Sequence, residues 1–115
     1  MGKVIEKVKL ASLFDHAKSI EVDAVIDTGA TMLVLPQDLV EALNLRKIRD
    51  TAVYGVVTLE LKGRVGNFDV WAEAKGSEPL VGQIVLEELD LVVDASTRTL
   101  IPNPRSPEIP TVEIL

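Results

Sequence analysis

Across residues 4–12, Val4, Glu6, Val8 and Leu10 fall on one parity and Ile5, Lys7 and Lys9 on the other, an alternation that predicts a β-strand. Residues 20–26 run Ile-Glu-Val-Asp-Ala-Val-Ile and predict a second strand that delivers Asp27 at its end. Between them, the mixed polar run Phe14-Asp15-His16-Ala17-Lys18 reads as a connecting turn, with His16 a solvated loop residue. Two more strands are expected over residues 56–61 and 68–74, joined through residues 62–67, where glycines mark a hairpin connection. Residues 91–94 and 99–102 flank Ala95-Ser96-Thr97-Arg98 and predict a last hairpin. Helical spacing is clearest over residues 36–44: Pro36 stands in the first turn, acids follow, Leu39, Val40 and Leu43 are apolar, and Asn44 closes it. The pattern as a whole is that of a mostly β domain. Trp71 is expected to anchor a core or an interface.

A chain of 115 residues fits one domain, and 47% hydrophobic residues suffice for a core. The domain is expected over residues 1–103. Residues 104–115 form a tail whose prolines at 104, 107 and 110 bar it from a central strand. Residues 111–115 are read either as a terminal strand or as a disordered end. Twelve basic and 18 acidic residues give a formal charge of −6 without a dense basic, aromatic-rich face, so nucleic acid is not an expected partner. Arg46, Lys47 and Arg49 are the one dense positive patch, read as a charged hairpin edge or a rim attracting acidic peptides. Neither a membrane-length apolar run nor a signal-peptide core is evident, and a cytoplasmic location without membrane association is expected.

Chemistry is narrowed sharply by what is missing. The sequence has no cysteine and a single histidine, which removes thiolate nucleophiles and leaves Ser-His-Asp or Cys-His catalysis poorly supported. Asp23, Asp27, Asp90 and Asp94 have no metal-ligand spacing, so neither a metal nor another cofactor is expected. What remains is Ala24-Val25-Ile26-Asp27-Thr28-Gly29-Ala30-Thr31, a carboxylate on a tight turn directly after an apolar strand. Asp-Thr-Gly alone is compatible with an ordinary turn leaving a sheet. Asp94-Ala-Ser and Asp50-Thr-Ala lack the glycine and are read as turn formers.

The segment closely resembles the active-site motif of the retroviral-type (retropepsin-like) aspartic proteases. The resemblance continues through Leu33-Val34-Leu35-Pro36 and returns at Leu80-Val81-Gly82, covering most of the chain. It implies a small closed β-barrel with one or two short helices, assembled as a homodimer acting on peptide or protein substrates. By the same resemblance, Asp27, Thr28 and Gly29 are the catalytic residues, and Ala30, Thr31, Met32, Val34, Leu80, Gly82 and Ile84 face substrate. Leu80-Val81-Gly82 would cross beneath the catalytic loop and lead into a short helix over residues 83–89. Gln83 departs from the family, which often carries a charged residue there.

The physical reason for a dimer is that one carboxylate cannot serve as proton donor and acceptor at once. Two carboxylates about 3 Å apart share one proton, the ionised member activating water and the protonated one polarising the carbonyl. With a single Asp-Thr-Gly, the second Asp27 has to come from another copy, and a two-fold axis supplies it. Thr28 is expected to reach across that axis, Gly29 to allow a sharp turn, and Thr31 to offer a hydroxyl to Asp27. The covering flap hairpin of the family corresponds to residues 45–55, which is short and implies weak or narrow activity. The competing expectation is a dimerisation or peptide-binding module that keeps the fold without turnover. Residues 104–115 are, by resemblance, candidates for interleaving at the dimer interface.

Overall fold

Alternation along the first two strands sets the architecture. The computed structural model describes residues 3–48 and 52–105. Strand β1 (Val4–Ser12) pairs antiparallel with β2 (Asp15–Ile26), bringing Val8 opposite Val22 and Leu10 opposite Ile20. The chain continues through β3 (Leu33–Pro36), α1 (Gln37–Ala42), β4 (Arg46–Lys47), β5 (Val53–Leu61), β6 (Arg64–Glu73), β7 (Leu80–Val81), α2 (Gln83–Leu89), β8 (Leu91–Asp94) and β9 (Thr99–Pro102). The main sheet has the order β1-β2-β7-β3-β6-β5-β4, and β1 also pairs with β5. That extra pairing makes the sheet ring-like, with β4 attached to β5 beyond the point of closure. The expected closed β-barrel is therefore realised as a ring-like sheet, mostly β with two short helices. β8 and β9 form a separate two-stranded sheet.

The ring encloses the core because one parity of each long strand is apolar. Val8 and Leu10 of β1, Val57, Leu59 and Leu61 of β5, and Phe68 and Val70 of β6 are all buried. They meet Leu33 and Leu35 of β3, Val81 of β7 and, from the helices, Val40, Val85, Leu86 and Leu89. Glu6 falls on the apolar parity of β1 and is accommodated by an ion pair, its carboxylate lying 3.5 Å from Lys62 Nζ. β5 and β6 are joined by Lys62 and Gly63, both at positive φ, which matches the twist of a tight two-residue hairpin.

Several boundaries differ from those expected. The first turn falls at Leu13 and Phe14, and His16 lies in β2, its Nε2 3.1 Å from Thr58 Oγ1. Local composition missed this because residues 15–19 are exposed on both faces of the strand and show no apolar parity. β6 begins at Arg64, so Val65, Gly66 and Asn67 belong to a strand and not to the hairpin connection. Pro36 ends β3 and α1 starts after it, shorter than the 36–44 span. Trp71 is not a core residue: it is 36% exposed and donates its indole N–H to Glu73 Oε1. Arg49, Asp50 and Thr51, and the tail from residue 106 onward, lie outside the described residues. Among the described residues no helix is long and apolar enough to cross a membrane.

A buried cation ties the hairpin to the second helix. Arg64 is 3% exposed, and its guanidinium donates to the carbonyls of Leu89 (2.9 Å) and Asp90 (3.0 Å). These are C-terminal helix carbonyls that no intrahelical donor reaches. Asp90 in turn accepts from Asn103 Nδ2 at 2.9 Å, which fixes the end of β9 to the same point. Replacing Arg64 with Met keeps the volume but strips those carbonyls of a charged donor. The expected loss is about 2–4 kcal/mol, read as a lower denaturant midpoint with an unchanged slope.

Candidate active site

The turn carrying Asp27 is built over a crossing segment. β7 inserts between β2 and β3, parallel to β2 through Val25–Leu80 and Ile26–Val81 and antiparallel to β3 through Val34–Leu80. Asp27 N–H donates to Val81 O at 2.9 Å, so the last ladder bond reaches the acid itself. Immediately afterwards α2 begins, and a helix leaves its first backbone donors without intrahelical partners. Gln83 N–H donates to Ala30 O at 2.8 Å and Ile84 N–H to Thr31 O at 3.0 Å. The carbonyls of the Asp27 turn thus take the place of a side-chain cap on α2, which Gly82 cannot supply.

Gly82 is buried at the point of closest approach. A Cβ there would overlap Met32 O and lie 2.8 Å from Ala30 O. Gly29 is needed for a different reason from the one its sequence context suggests. Its φ is not in the left-handed region. Its N–H donates to Asp27 Oδ1 at 2.9 Å, and a Cβ would stand 3.2 Å from that same oxygen. The turn is closed further by Ala30 N–H to Asp27 O at 3.1 Å.

Asp27 is half-buried, while Thr28, Gly29 and Thr31 are exposed. Asp27 and Thr28 line a hollow of about 420 Å³ with Lys3, Val4, Val25 and Val93. In one copy the Thr31 hydroxyl makes no hydrogen bond to Asp27 among the described residues, and the Gly29 amide is the carboxylate's donor. The four apolar residues expected to face substrate divide into two pairs. Val34 and Leu80 oppose each other in the β3–β7 register. Met32 and Ile84 meet in a cavity of about 410 Å³, completed by Val53, Val56, Asn67, Phe68 and Asp69. Those residues come from β5 and β6, and nothing in their local spacing linked them to the turn. Gln83 directs its side-chain amide to Glu87 Oε1 at 3.2 Å, a contact within α2.

The described residues of the stretch corresponding to a flap, 45–48 and 52–55, pair with each other over a short length. β4 pairs with β5 through Arg46–Gly55 and Lys47–Tyr54, and Ile48 N–H donates to Val53 O at 2.8 Å. Arg46 and Lys47 are exposed on this terminal strand of the sheet, where charge discourages pairing with other edges. Among the described residues no group of three or more His, Asp or Glu is placed to hold a metal ion.

Asp94 shows what a strand-end aspartate looks like when it serves only its turn. Its Oδ1 accepts from Ser96 Oγ at 2.6 Å and from Ser96 N–H at 3.0 Å. The Ser96 side chain first, then its backbone amide, hold the Asp94 carboxyl below the ordinary aspartate value of 3.8.

Comparison with known proteins places the fold. No protein-family model matches the chain, and no curated protein sequence matches it. Among solved structures, the EIAV protease complexed with the inhibitor HBY-793 superposes with a TM-score of 0.59 at 21% identity, covering 76% of this chain and 88% of that one. The retroviral protease-like domain of Ddi1 from Leishmania major gives a TM-score of 0.63 at 15% identity, covering 90% of this chain and 88% of that one. The fold is retropepsin-like.

Gly82→Ala is expected to cost about 3 kcal/mol or more, because the overlap is with backbone on a turn that three hydrogen bonds fix, a loss measurable by equilibrium denaturation. For Asp94, a depressed folded pKa means that its contribution to stability is present above the unfolded pKa and lost as pH falls through the folded one. A carboxyl-carbon NMR titration should give a midpoint below 3.8, moving up in Ser96→Ala.

Proposed function

We propose that two copies of this chain form an aspartic endopeptidase whose active site lies on their two-fold axis. The observation that carries the reading is the Asp27 turn: a half-buried carboxylate that follows buried Ile26 and precedes exposed Thr28 and Gly29, braced from below by β7 and α2 in a retropepsin-like fold. The similarity to a protease solved with an inhibitor, and to a domain described as retroviral protease-like, supports the same class.

In this reading the Asp27 pair holds one proton. The ionised carboxylate takes a proton from a water held between the pair while the water oxygen bonds to the scissile carbonyl carbon. The protonated carboxyl gives its proton to the carbonyl oxygen, forming a tetrahedral diol. Collapse breaks the C–N bond, the proton on the first carboxyl goes to the leaving nitrogen, and a diol proton returns to the pair. No covalent enzyme intermediate forms, and no cofactor enters the sequence of steps. Thr28 and Gly29 hold the two turns together. Ala30, Thr31 and Gly82 position the extended substrate, which adds as a strand. Met32, Val34, Leu80 and Ile84 offer the apolar contacts.

The short β4–β5 hairpin covers the site less than a long flap does, so grip on substrate is weak and KM high. Residues 104–115 are candidates for the dimer contact.

Asp27→Asn should lower cleavage of a peptide library by at least about 10²–10⁴-fold, with both proteins sedimenting as dimers. Mixing the two at equal concentration under conditions of subunit exchange gives a sharper result. If the site is shared, activity per total chain falls to about a quarter, because mixed dimers lack one carboxylate. A fall to about half indicates a self-contained site and overturns the proposal, as does a strict monomer at micromolar concentration. The pH–rate profile should be bell-shaped, because activity needs one carboxyl of the pair protonated and the other ionised.

A further inference from the structure

We infer that the cavity beside the Asp27 turn is a specificity pocket for a basic side chain of the substrate, read by Asp69. This rests on the reading that an extended peptide lies over that turn. The cavity, about 410 Å³, is within the size range of built ligand sites and well above what one long side chain fills. Met32 and Ile84 reach it from the Asp27 turn and the start of α2, so it opens beside the proposed path of the peptide. Val53, Val56 and Phe68 complete an apolar wall suited to a methylene stem.

The polar members of the lining are Asn67 and Asp69, both exposed and both on β6. Asn67 Oδ1 already accepts from Thr58 Oγ1 at 2.8 Å. Asp69 is different: its side chain has neither an ion pair nor a hydrogen bond among the described residues, and the described cavity lining holds no cation. Its carboxylate lies against β5 where residue 55 has no side chain, Oδ1 standing 3.0 Å from the position a Cβ would take. A pocket with apolar walls and one carboxylate without a partner at its rim suits an aliphatic stem that ends in a cation. Lysine and arginine have that form; glutamate is repelled, and norleucine gains the wall without the charge. The preference is modest because Asp69 is exposed and its attraction is screened by solvent.

The test uses octapeptides alike except for one residue, scanned through every position as Arg, Lys, norleucine or Glu. Binding is measured by fluorescence anisotropy on the Asp27→Asn protein, and cleavage is measured separately on the wild type. At one position on each side of the scissile bond, since the two-fold axis presents the pocket twice, Arg and Lys peptides should bind about three- to fivefold more tightly than norleucine and more tightly still than Glu. Asp69→Asn should erase the Arg/norleucine ratio, and Asp69→Lys should invert the Arg/Glu order. Raising salt should shrink the same ratio. Equal affinities at every position, or a preference unchanged in both Asp69 variants, would overturn the pocket assignment. Charge-selective binding without any wild-type cleavage would support the pocket and sink the peptidase reading instead.

Discussion

The fold depends on one backbone arrangement: three carbonyls, those of Val81, Ala30 and Thr31, bonded to the amides of Asp27, Gln83 and Ile84. Two segments more than 50 residues apart are thereby locked at a separation that only a glycine at position 82 permits. The amides at 83 and 84 would otherwise be orphan donors at a helix start, and the carbonyls at 30 and 31 would be orphan acceptors in a turn. Each defect repairs the other. The height and direction of Asp27 above the sheet follow from that repair, since its own amide is the last donor to β7.

The ring-like sheet explains how such a crossing is held without a large protein around it. β1 pairs with both β2 and β5, so the two halves of the chain are joined on one side by β1 and on the other by β7, which lies between β2 and β3. Arg64 adds a third tie. By capping the carbonyls at the end of α2 from the β5–β6 hairpin, it fixes the end of the helix whose start is fixed by the Asp27 turn. Asp90 and Asn103 carry the tie onward to β9. A short helix of seven residues, marginal alone, is thus held at both termini by parts of the sheet.

Features set by short spacing were legible in the sequence, and those set by distant contacts were not. Alternation around Val8 and Leu10 located β1. Asn44 and Pro36 bracketed α1 to within a residue or two, and Asp94, with no glycine after it, read as the former of the last hairpin's turn. The crossing at Gly82 was found only through resemblance, because an apolar pair followed by glycine is also an ordinary strand end. His16 was misplaced because residues 15–19 are exposed on both faces of β2, and a strand end without an apolar parity resembles a loop in composition. Asp69 and Val53 carried no signal at all. Their place beside Met32 arises from the parallel pairing of β3 with β6 and the antiparallel pairing of β6 with β5, which bring together residues separated by tens of positions and leave no period to detect.

Two strand-end aspartates in one chain make the chemical distinction plain. Asp94 sits on a turn whose own serine supplies both an O–H and an N–H to a single carboxylate oxygen, and its charged form is held by its turn. Asp27 receives one amide donor from Gly29, and the rest of its acceptor capacity is unfilled among the described residues. A carboxylate that takes two donors from its own turn is engaged in holding that turn. One that is rigidly held from below, half-buried at its side and incompletely satisfied above retains the capacity to bind water or share a proton. The difference does not come from the carboxyl group, which is the same in both. It comes from what lies beneath the turn: a crossing strand and helix under Asp27 that hold the backbone without occupying the side chain. The proposed chemistry needs that separation of tasks, with structure assigned to the main chain and the oxygen atoms left open to a second copy and a water.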